Sequence, residues 1–540
     1  MLCKYGFTFI IVLDLFCRRN GTEHEQKGGR ILILGAGISG ITAAKTLHEA
    51  GHQNFRIIEA SGRLGGRIHE ATLGSHTVEL GAMWIYGKGS NPLYDLAMKY
   101  NISLVGSAVD DWTVRDENGY DVTDNANVAL ANITNVLKQF NAHGTHSKVT
   151  RSPDFNVQSG LRHFEWRPKS PVDDVVETFV LDFEVGAGPD VLSGSNLNMN
   201  ETYEDFGNFE MLAVKDPQGF ASIVRKLHDD ILDQDDFRVE YDKTVVSIDQ
   251  SGSDVTVLTA DGESYTADYA IVTFSLGVLQ ERKVRFTPEL SKSKMLAIDK
   301  FAINKYTHIY VRYQGAFWDD TLFILFASKL RGRFSCWLNM NSIYPESNIL
   351  QLSLFGQDST WADRSTDRDI LAEMQRTLKT MYPNITIPEP LDFKISRWNT
   401  DPLFMGAFSY WPATFTEQDM TSLRKPEGRI FFSGEHLHSL HYGFAHGAYI
   451  VAQSVARDVM ECVKNGHAEC TCSFDLDLDT QDHCHKQQCN ATKHCFLNYK
   501  YHYLYDVHLT FWCMGVVIVT MVSTSVLHLS GASDSIIAVY

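Results

Sequence analysis

Three glycines and a distant carboxylate carry the first readable chemistry of this sequence. Gly35-Ala-Gly37-Ile-Ser-Gly40 follows the apolar run Arg30-Ile-Leu-Ile-Leu and precedes a helical stretch, Ile41 to Glu49, that holds the small residues Ala43 and Ala44. Strand, glycine turn and helix N-terminus in that order suit a dinucleotide pyrophosphate. Gly35 permits the tight turn, Gly37 lets backbone approach the ligand, and Gly40 lets the helix pack closely, while the helix end supplies N–H donors and positive dipole charge. A second strand, Phe55 to Ile58, ends at Glu59, 19 residues past Gly40, where a carboxylate accepts hydrogen bonds from a ribose diol. Gly62-Arg-Leu-Gly65-Gly66-Arg67 adds another close backbone approach and a guanidinium for phosphate. In Val78-Glu79-Leu-Gly81-Ala82-Met83-Trp84, the glycine would let the chain pass near a flat ring.

The same strand, loop and helix pattern returns near the other end of the chain. Arg429-Ile-Phe-Phe-Ser-Gly434-Glu435 reads as a strand ending in glycine and acid, and His446-Gly-Ala-Tyr opens a helix to about Val463. Two helix N-termini facing one ligand require residues near 35 and near 435 to share a discontinuous domain. Between them, Val239-Glu-Tyr, Thr244 to Ile248, Val255 to Leu258 and Tyr269 to Thr273 are strand-like, separated by turn signals such as Asp261-Gly. Asp367 to Tyr382 places Ile370, Leu371, Met374, Leu378 and Met381 at helical spacing and reads as a packing helix. The mixed, sequon-bearing stretch 101–210 reads as an inserted domain.

Composition bounds the function. The 540 residues carry 48 Lys plus Arg against 66 Asp plus Glu, a formal charge of −18 at pH 7. That excess repels phosphate backbones and excludes nucleic acid as a partner class; cationic small molecules suit the field better, although solubility alone also produces such a charge. With 44% hydrophobic and 11% aromatic residues the chain can bury a large core, and its length predicts several domains.

The termini point to export. Residues 1–27 place Lys4 before the apolar run Tyr5 to Leu13, as in a secretory signal or an uncleaved signal anchor. Sequons at Asn20, Asn101, Asn132, Asn200, Asn384 and Asn490 are compatible with an extracellular or lumenal catalytic body. Six of the ten cysteines, Cys462, Cys470, Cys472, Cys484, Cys489 and Cys495, crowd one nonperiodic stretch. A disulfide-stapled tail over 466–507 is expected, with a zinc site using His467, His483, His485 or His494 as the rival reading. Leu509 to Leu529 runs 21 residues without Asp, Glu, Lys or Arg, enough to cross a bilayer. A transmembrane segment at 508–529 and a short tail at 530–540 are therefore expected, with a buried helix or a removed lipid-anchor signal as alternatives.

The ordered set GAGISG at 35–40, IIEASGRLGGR at 57–67, VELGAMW at 78–84, SLGVLQ at 275–280, FMGAFSYWP at 404–412 and FFSGEHLHSLHYGFAHGAYI at 431–450 resembles the flavin-containing amine oxidase family. Within it the chain is most similar to polyamine oxidases of the plant extracellular type, from about Arg30 to about Cys462. The resemblance implies an α/β fold, with a discontinuous, Rossmann-like FAD-binding domain from 28–100, 210–290 and 390–465. An interleaved α+β substrate-binding domain would come from 101–209 and 291–389. It implies oxidation of a polyamine such as spermine or spermidine by FAD, through an imine that water hydrolyses to an aldehyde and an amine, with O2 reduced to H2O2.

By the same resemblance, Gly35, Gly37, Gly40, Glu59, Arg67, Gly81, Ala82, Met83, Trp84, Val245, Trp398, Gly434, Glu435, Gly443 and Phe444 bind the cofactor, Val245 through its backbone at the adenine. Phe408 and Phe444 are the aromatic walls beside the flavin, and Tyr306 is a further active-site aromatic. The FAD is expected to be non-covalent, because the subgroup with an attached flavin uses a cysteine in the loop after the Gly-Glu motif and residues 435–449 contain none.

Two positions depart from the family. Ten residues before Trp318, where the family carries a lysine bonded through water to flavin N5, this chain has His308. Tyr306 and His308 share one strand face, whereas Lys305 points the other way and cannot substitute. With a reference pKa of about 6.5, an imidazole there is mostly neutral at pH 7, which implies slower or more pH-dependent flavin reoxidation. Where the resembling plant enzymes have a tunnel glutamate, Tyr86 stands, and Glu184 is the match for a second acid. The alternatives are an oxidase of another amine or an amino acid, and an FAD-bound binding or scaffold protein of low activity.

Overall fold

Ile31–Leu34 is apolar and buried on both faces, as the middle strand of a parallel sheet must be. That sheet runs in the order Ile430–Phe432, Tyr269–Val272, Ile31–Leu34, Phe55–Ile58 and Val239–Glu240, with every neighbouring pair parallel. Helix Ile38–Glu49 packs against the last helix, Ala445–Asn465, where Ala43, Ala44, Ala452 and Ala456 are buried and let the two axes approach closely. All five strands come from the stretches 28–100, 210–290 and 390–465, so chain segments remote in sequence meet in one sheet.

The computed structural model describes residues 29–465 except 108–110, 151, 198–205, 207–209 and 234–235. The expected leader at 1–27, the cysteine-rich tail at 466–507, the apolar segment at 508–529 and the tail at 530–540 lie outside the described residues, as do Asn20, Asn200 and Asn490. Among the described residues no helix is long and apolar enough to cross a membrane. Cys462, the first of the clustered cysteines, is buried on the last helix, while its five clustered neighbours are outside the described residues.

A second sheet of six strands runs in the order Asp392–Ile395, Tyr306–Arg312, Ile349–Phe355, Cys336–Asn339, Phe323–Ala327 and Trp112–Asp116. Its neighbours are antiparallel apart from the last pair. Side-chain alternation gives it two faces. Ile309, Val311, Leu350 and Leu352 pack with Ile370, Met374, Leu378 and Met381 of helix Asp367–Met381, while Tyr306, Tyr310 and Cys336 join the apolar core on the opposite side. Asp392–Ile395 pairs with Tyr306–Arg312 in this sheet, although the boundary expected at 390 groups it with the nucleotide-binding segments.

The stretch read only as a mixed insertion contains a 28-residue helix, Thr123–Thr150, and the shorter helices Val157–His163 and Pro171–Glu177. Asparagine, histidine and Gly144 give the long helix poor intrinsic propensity, so burial of Ala126, Ala129, Ile133 and Phe140 in the shared core decides it.

Candidate active site

The loops after Ile31–Leu34, Phe55–Ile58, Tyr269–Val272 and Ile430–Phe432 meet the second sheet around a cavity of about 320 Å3. Gly35, Gly37, Glu59, Thr273 and Gly434 line it from the parallel strands, and Tyr306, His308, Cys336 and Ser353 from the mixed sheet. Helix Ile38–Glu49 starts at this cavity, and its N-cap Gly37 offers no side-chain cap. A Cβ on Gly37 would meet no protein atom nearer than 3.8 Å, so the protein's own packing does not require a glycine there; the free space beside the helix N-terminus fits a pyrophosphate. Gly40 is constrained the other way, because a Cβ there would lie 1.9 Å from the Gly35 carbonyl oxygen. It is not among the cavity-lining residues, and it serves the motif through close helix packing, the role its place in the glycine turn predicts.

Glu59 is buried, with Oε2 accepting from the Ala36 N–H at 2.6 Å and Oε1 from the Ser61 N–H and hydroxyl at 2.8 and 2.6 Å. These bonds fix its carboxylate at the cavity and leave lone pairs for ribose hydroxyls. Val245 and Lys243 line the same region.

Arg67 ties the two ends of the chain together. Its Nη1 donates to Glu435 Oε1 at 2.7 Å and to the Ala407 carbonyl at 2.9 Å, so this nitrogen is committed to a carboxylate rather than left for phosphate. Glu435 also accepts from the Ser409 hydroxyl and, at 2.8 Å, from the Gly443 N–H. Burial opposes its charge, but the Arg67 guanidinium, His436 and the Ser409 hydroxyl together hold the carboxyl below its ordinary range.

At the other end the cavity is walled by rings. Tyr306 and Phe408 lie 5.5 Å apart between centroids, and Tyr86 meets Phe444 edge to face at 5.1 Å. Trp398 donates through Nε1 to the Leu80 carbonyl at 2.6 Å. Gly81, Ala82, Met83, Trp84 and Gly443 complete this part of the wall. His308 lies 5.3 Å from the Tyr306 ring on the same strand face, while Lys305 is exposed. His308 Nδ1 is 3.1 Å from the Glu79 carbonyl oxygen, which also accepts from the Tyr310 hydroxyl at 2.7 Å. A carbonyl only accepts, so Nδ1 carries the proton and Nε2 is left as an acceptor. Burial lowers the imidazole pKa to about 4.

Glu184 faces the same cavity from the short helical turn Phe183–Val185. Burial alone raises its carboxyl to about 7, and its charge is felt by Tyr86 and Tyr306. The structure thus gathers Tyr86, Glu184, Tyr306, His308, Phe408 and Phe444 at one end of one cavity.

Several residues here escape sequence reasoning. Cys336 is buried in the wall with its thiol pushed up to about 12, so it offers no thiolate. Ser396 Oγ accepts from the His308 N–H at 2.8 Å. Glu79 is buried, with Oε1 accepting from the Phe220 N–H at 2.7 Å and the carboxyl raised to about 8 by burial. Only Glu79 carried a signal, as the acid inside the Val78 to Trp84 motif.

The profile of the family described as flavin containing amine oxidoreductase matches residues 38–460. The chain belongs to the flavin-containing amine oxidase family. Among its relatives, polyamine oxidase 6 of Oryza sativa subsp. japonica is 33% identical over 81% of this chain and 91% of its own length. Polyamine oxidase 1 of Zea mays is 30% identical over 84% of this chain and 95% of its own length. A redesigned putrescine oxidase of known structure superposes with a TM-score of 0.66 at 16% identity, covering 80% of this chain and 99% of that one, and supports the fold. This amine oxidase is an enzyme whose cofactor is FAD, acting on an amine with O2 as acceptor. The glycine turn, the helix N-terminus, Glu59 and the ring-walled end fit that cofactor.

Proposed function

We propose that this amine oxidase oxidises polyamines of the spermine and spermidine class to an imine, which water converts to an aldehyde and an amine, while O2 becomes H2O2. The observation that carries the substrate class is Glu184, a cavity-facing carboxyl among aromatic rings with no hydrogen-bond partner among the described residues. Such a group suits the remote ammonium of a long flexible amine. The polyamine oxidases of rice and maize, similar over four fifths of the chain, support the same reading.

When bound, FAD supplies the two-electron oxidation of the amine and the transfer of those electrons to O2. The segments 28–100, 210–290 and 390–465 would hold it non-covalently, with Gly35 and Gly37 at the pyrophosphate, Glu59 at a ribose, Val245 at the adenine and Trp398 at the flavin. Phe408, Phe444 and Tyr306 would confine the reacting carbon and exclude water; the segments 101–209 and 291–389 would form the rest of the amine site. His308 presents a neutral acceptor, Nε2, where the family has a cation.

The purified holoprotein, mixed anaerobically with spermine or spermidine, should lose its flavin absorbance and release H2O2 once air is admitted. Retained absorbance with both polyamines and intact bound FAD overturns the proposal. Export belongs to the same proposal, supported by the exposed sequons Asn101, Asn132 and Asn384, and membrane attachment through 508–529 rests on the apolar run Leu509 to Leu529, which carries no Asp, Glu, Lys or Arg. Glycosidase treatment should lower the mass of the secreted chain, and truncation before 508 should release it from membranes.

A further inference from the structure

Glu184 has neighbours that hold its backbone but none that bonds its carboxyl. It follows a π-helical turn, Thr178–Asp182, inserted between helix Pro171–Glu177 and the turn Phe183–Val185. Such a turn carries one residue more than an α-turn, so slipping back to α-register would swing the following side chains by about 100° around the axis. The turn is costly to keep: Thr178 is fully buried and its hydroxyl has no partner among the described residues.

One residue brackets it. Arg331 grips Asp182 with two parallel bonds, Nη1 to Oδ2 and Nη2 to Oδ1, each 2.7 Å, and reaches Glu177 through Nε at 3.1 Å. Both carboxylates are buried, and Trp166 Nε1 fixes the other oxygen of Glu177 at 2.8 Å. Beyond the turn, the Tyr306 hydroxyl donates to the Phe183 carbonyl at 3.1 Å and Asn304 Nδ2 to the Val185 carbonyl at 2.7 Å. Glu184, between these two carbonyls, is the acid that the whole arrangement aims at the cavity.

We propose that Arg331 is a positioning residue: by clamping Glu177 and Asp182 at the two ends of the π-turn, it fixes the register that directs Glu184 at the remote ammonium of a bound amine. This rests on the polyamine reading only in taking a cationic amine as the ligand. Arginine is required because the grip is bidentate and spans two carboxylates, which the single ammonium of lysine does not reproduce.

The test compares two amines of equal length that differ by one ammonium, octane-1,8-diamine and octylamine. Both are titrated anaerobically into the FAD-loaded enzyme at pH 8, reading the flavin absorbance change or, where the amine reduces the flavin, the concentration dependence of reduction. The wild type should bind the diamine roughly tenfold or more tightly than the monoamine, and Glu184→Gln should abolish that preference. Arg331→Lys and Asp182→Asn should each shrink the preference by roughly threefold or more with the octylamine affinity unchanged, and should have no effect on the ratio in a Glu184→Gln background. FAD content and far-UV circular dichroism verify folding; if Arg331→Lys does not retain FAD, Asp182→Asn carries the comparison. A wild type without diamine preference, or variants that weaken both amines alike or neither, would overturn the assignment. Anaerobic bleaching by spermine is read separately, so failure of the polyamine reading is distinguishable from failure of the clamp.

Discussion

His308 Nδ1 donates to the backbone carbonyl of Glu79 across 3.1 Å, which leaves Nε2 as a lone-pair acceptor in the cavity wall. Burial holds the imidazole pKa near 4, so the ring stays neutral from pH 5 to 8. A ring that stays neutral across that range contributes no pH dependence of its own to reoxidation. In Glu184→Gln, which lacks the cavity carboxyl that titrates near 7, stopped-flow reoxidation of the reduced enzyme by O2 should therefore be flat over pH 5.5–8. His308→Lys should raise that rate by roughly tenfold or more; an unchanged rate would show that this position does not govern reoxidation.

Arg67 and Glu435 form a bridge between segments 368 residues apart. Arg67→Ala would leave the Glu435 charge buried without its guanidinium, at a cost of about 3–5 kcal/mol. A lower urea midpoint and loss of FAD during purification are expected. Glu435 has a depressed carboxyl pKa in the fold, so its stabilisation is present above the ordinary carboxylate pKa and is lost as pH falls through the folded value. The difference between wild type and Glu435→Gln should accordingly shrink below about pH 4.5.

FAD should leave the protein on denaturation. Residues 435–449 contain no cysteine, and Cys336 in the cavity wall is kept as a thiol by burial, with its pKa near 12. Heating followed by centrifugation should put the flavin in the supernatant; flavin pelleted with protein would indicate a covalent link.

Glu184 should impose a pH profile on amine binding. With its pKa near 7, the carboxyl is protonated below that value and anionic above it. Tyr86 and Tyr306, the titratable groups whose interaction with it is seen, stay neutral because burial raises both phenols well above 10. KM for spermine should fall between pH 6 and 8, beyond what titration of spermine itself produces. Glu184→Gln, which keeps the shape and removes the titration, isolates that part.

Lys294 is fully buried, donates to the Leu423 carbonyl at 2.6 Å and lies 4.2 Å from the centre of the Phe432 ring. No carboxylate pairs with it among the described residues, and burial lowers its pKa to about 7. The unfolded chain therefore binds more protons than the folded one between pH 7 and the ordinary lysine range, and stability should rise with pH across that window by on the order of 1 kcal/mol per unit. Urea midpoints of wild type and Lys294→Met at pH 7 and 9 would reveal it, because the rise should be smaller in the variant.

The chemistry-bearing glycines, Glu59 and Glu435 were legible in the sequence because their spacing is local: a turn, a helix start or a strand end is set by neighbouring residues, whereas Tyr306, Trp398, Phe408 and Phe444 were marked only by the resemblance to flavin-containing amine oxidases. Period-2 alternation alone put Tyr306 and His308 together and Lys305 elsewhere. Tertiary structure decided whatever depends on contacts between remote segments. Arg67 is bonded to Glu435 because two chain ends share one sheet, and no local pattern says so. Thr123–Thr150 is a helix because a distant core covers its apolar positions. Arg331 reads as an ordinary surface arginine until the fold carries it across to Glu177 and Asp182. The protonation of His308, Glu184 and Lys294 likewise follows from burial: residue type fixes the reference pKa, but the desolvation that shifts it is created only when remote segments close around the group.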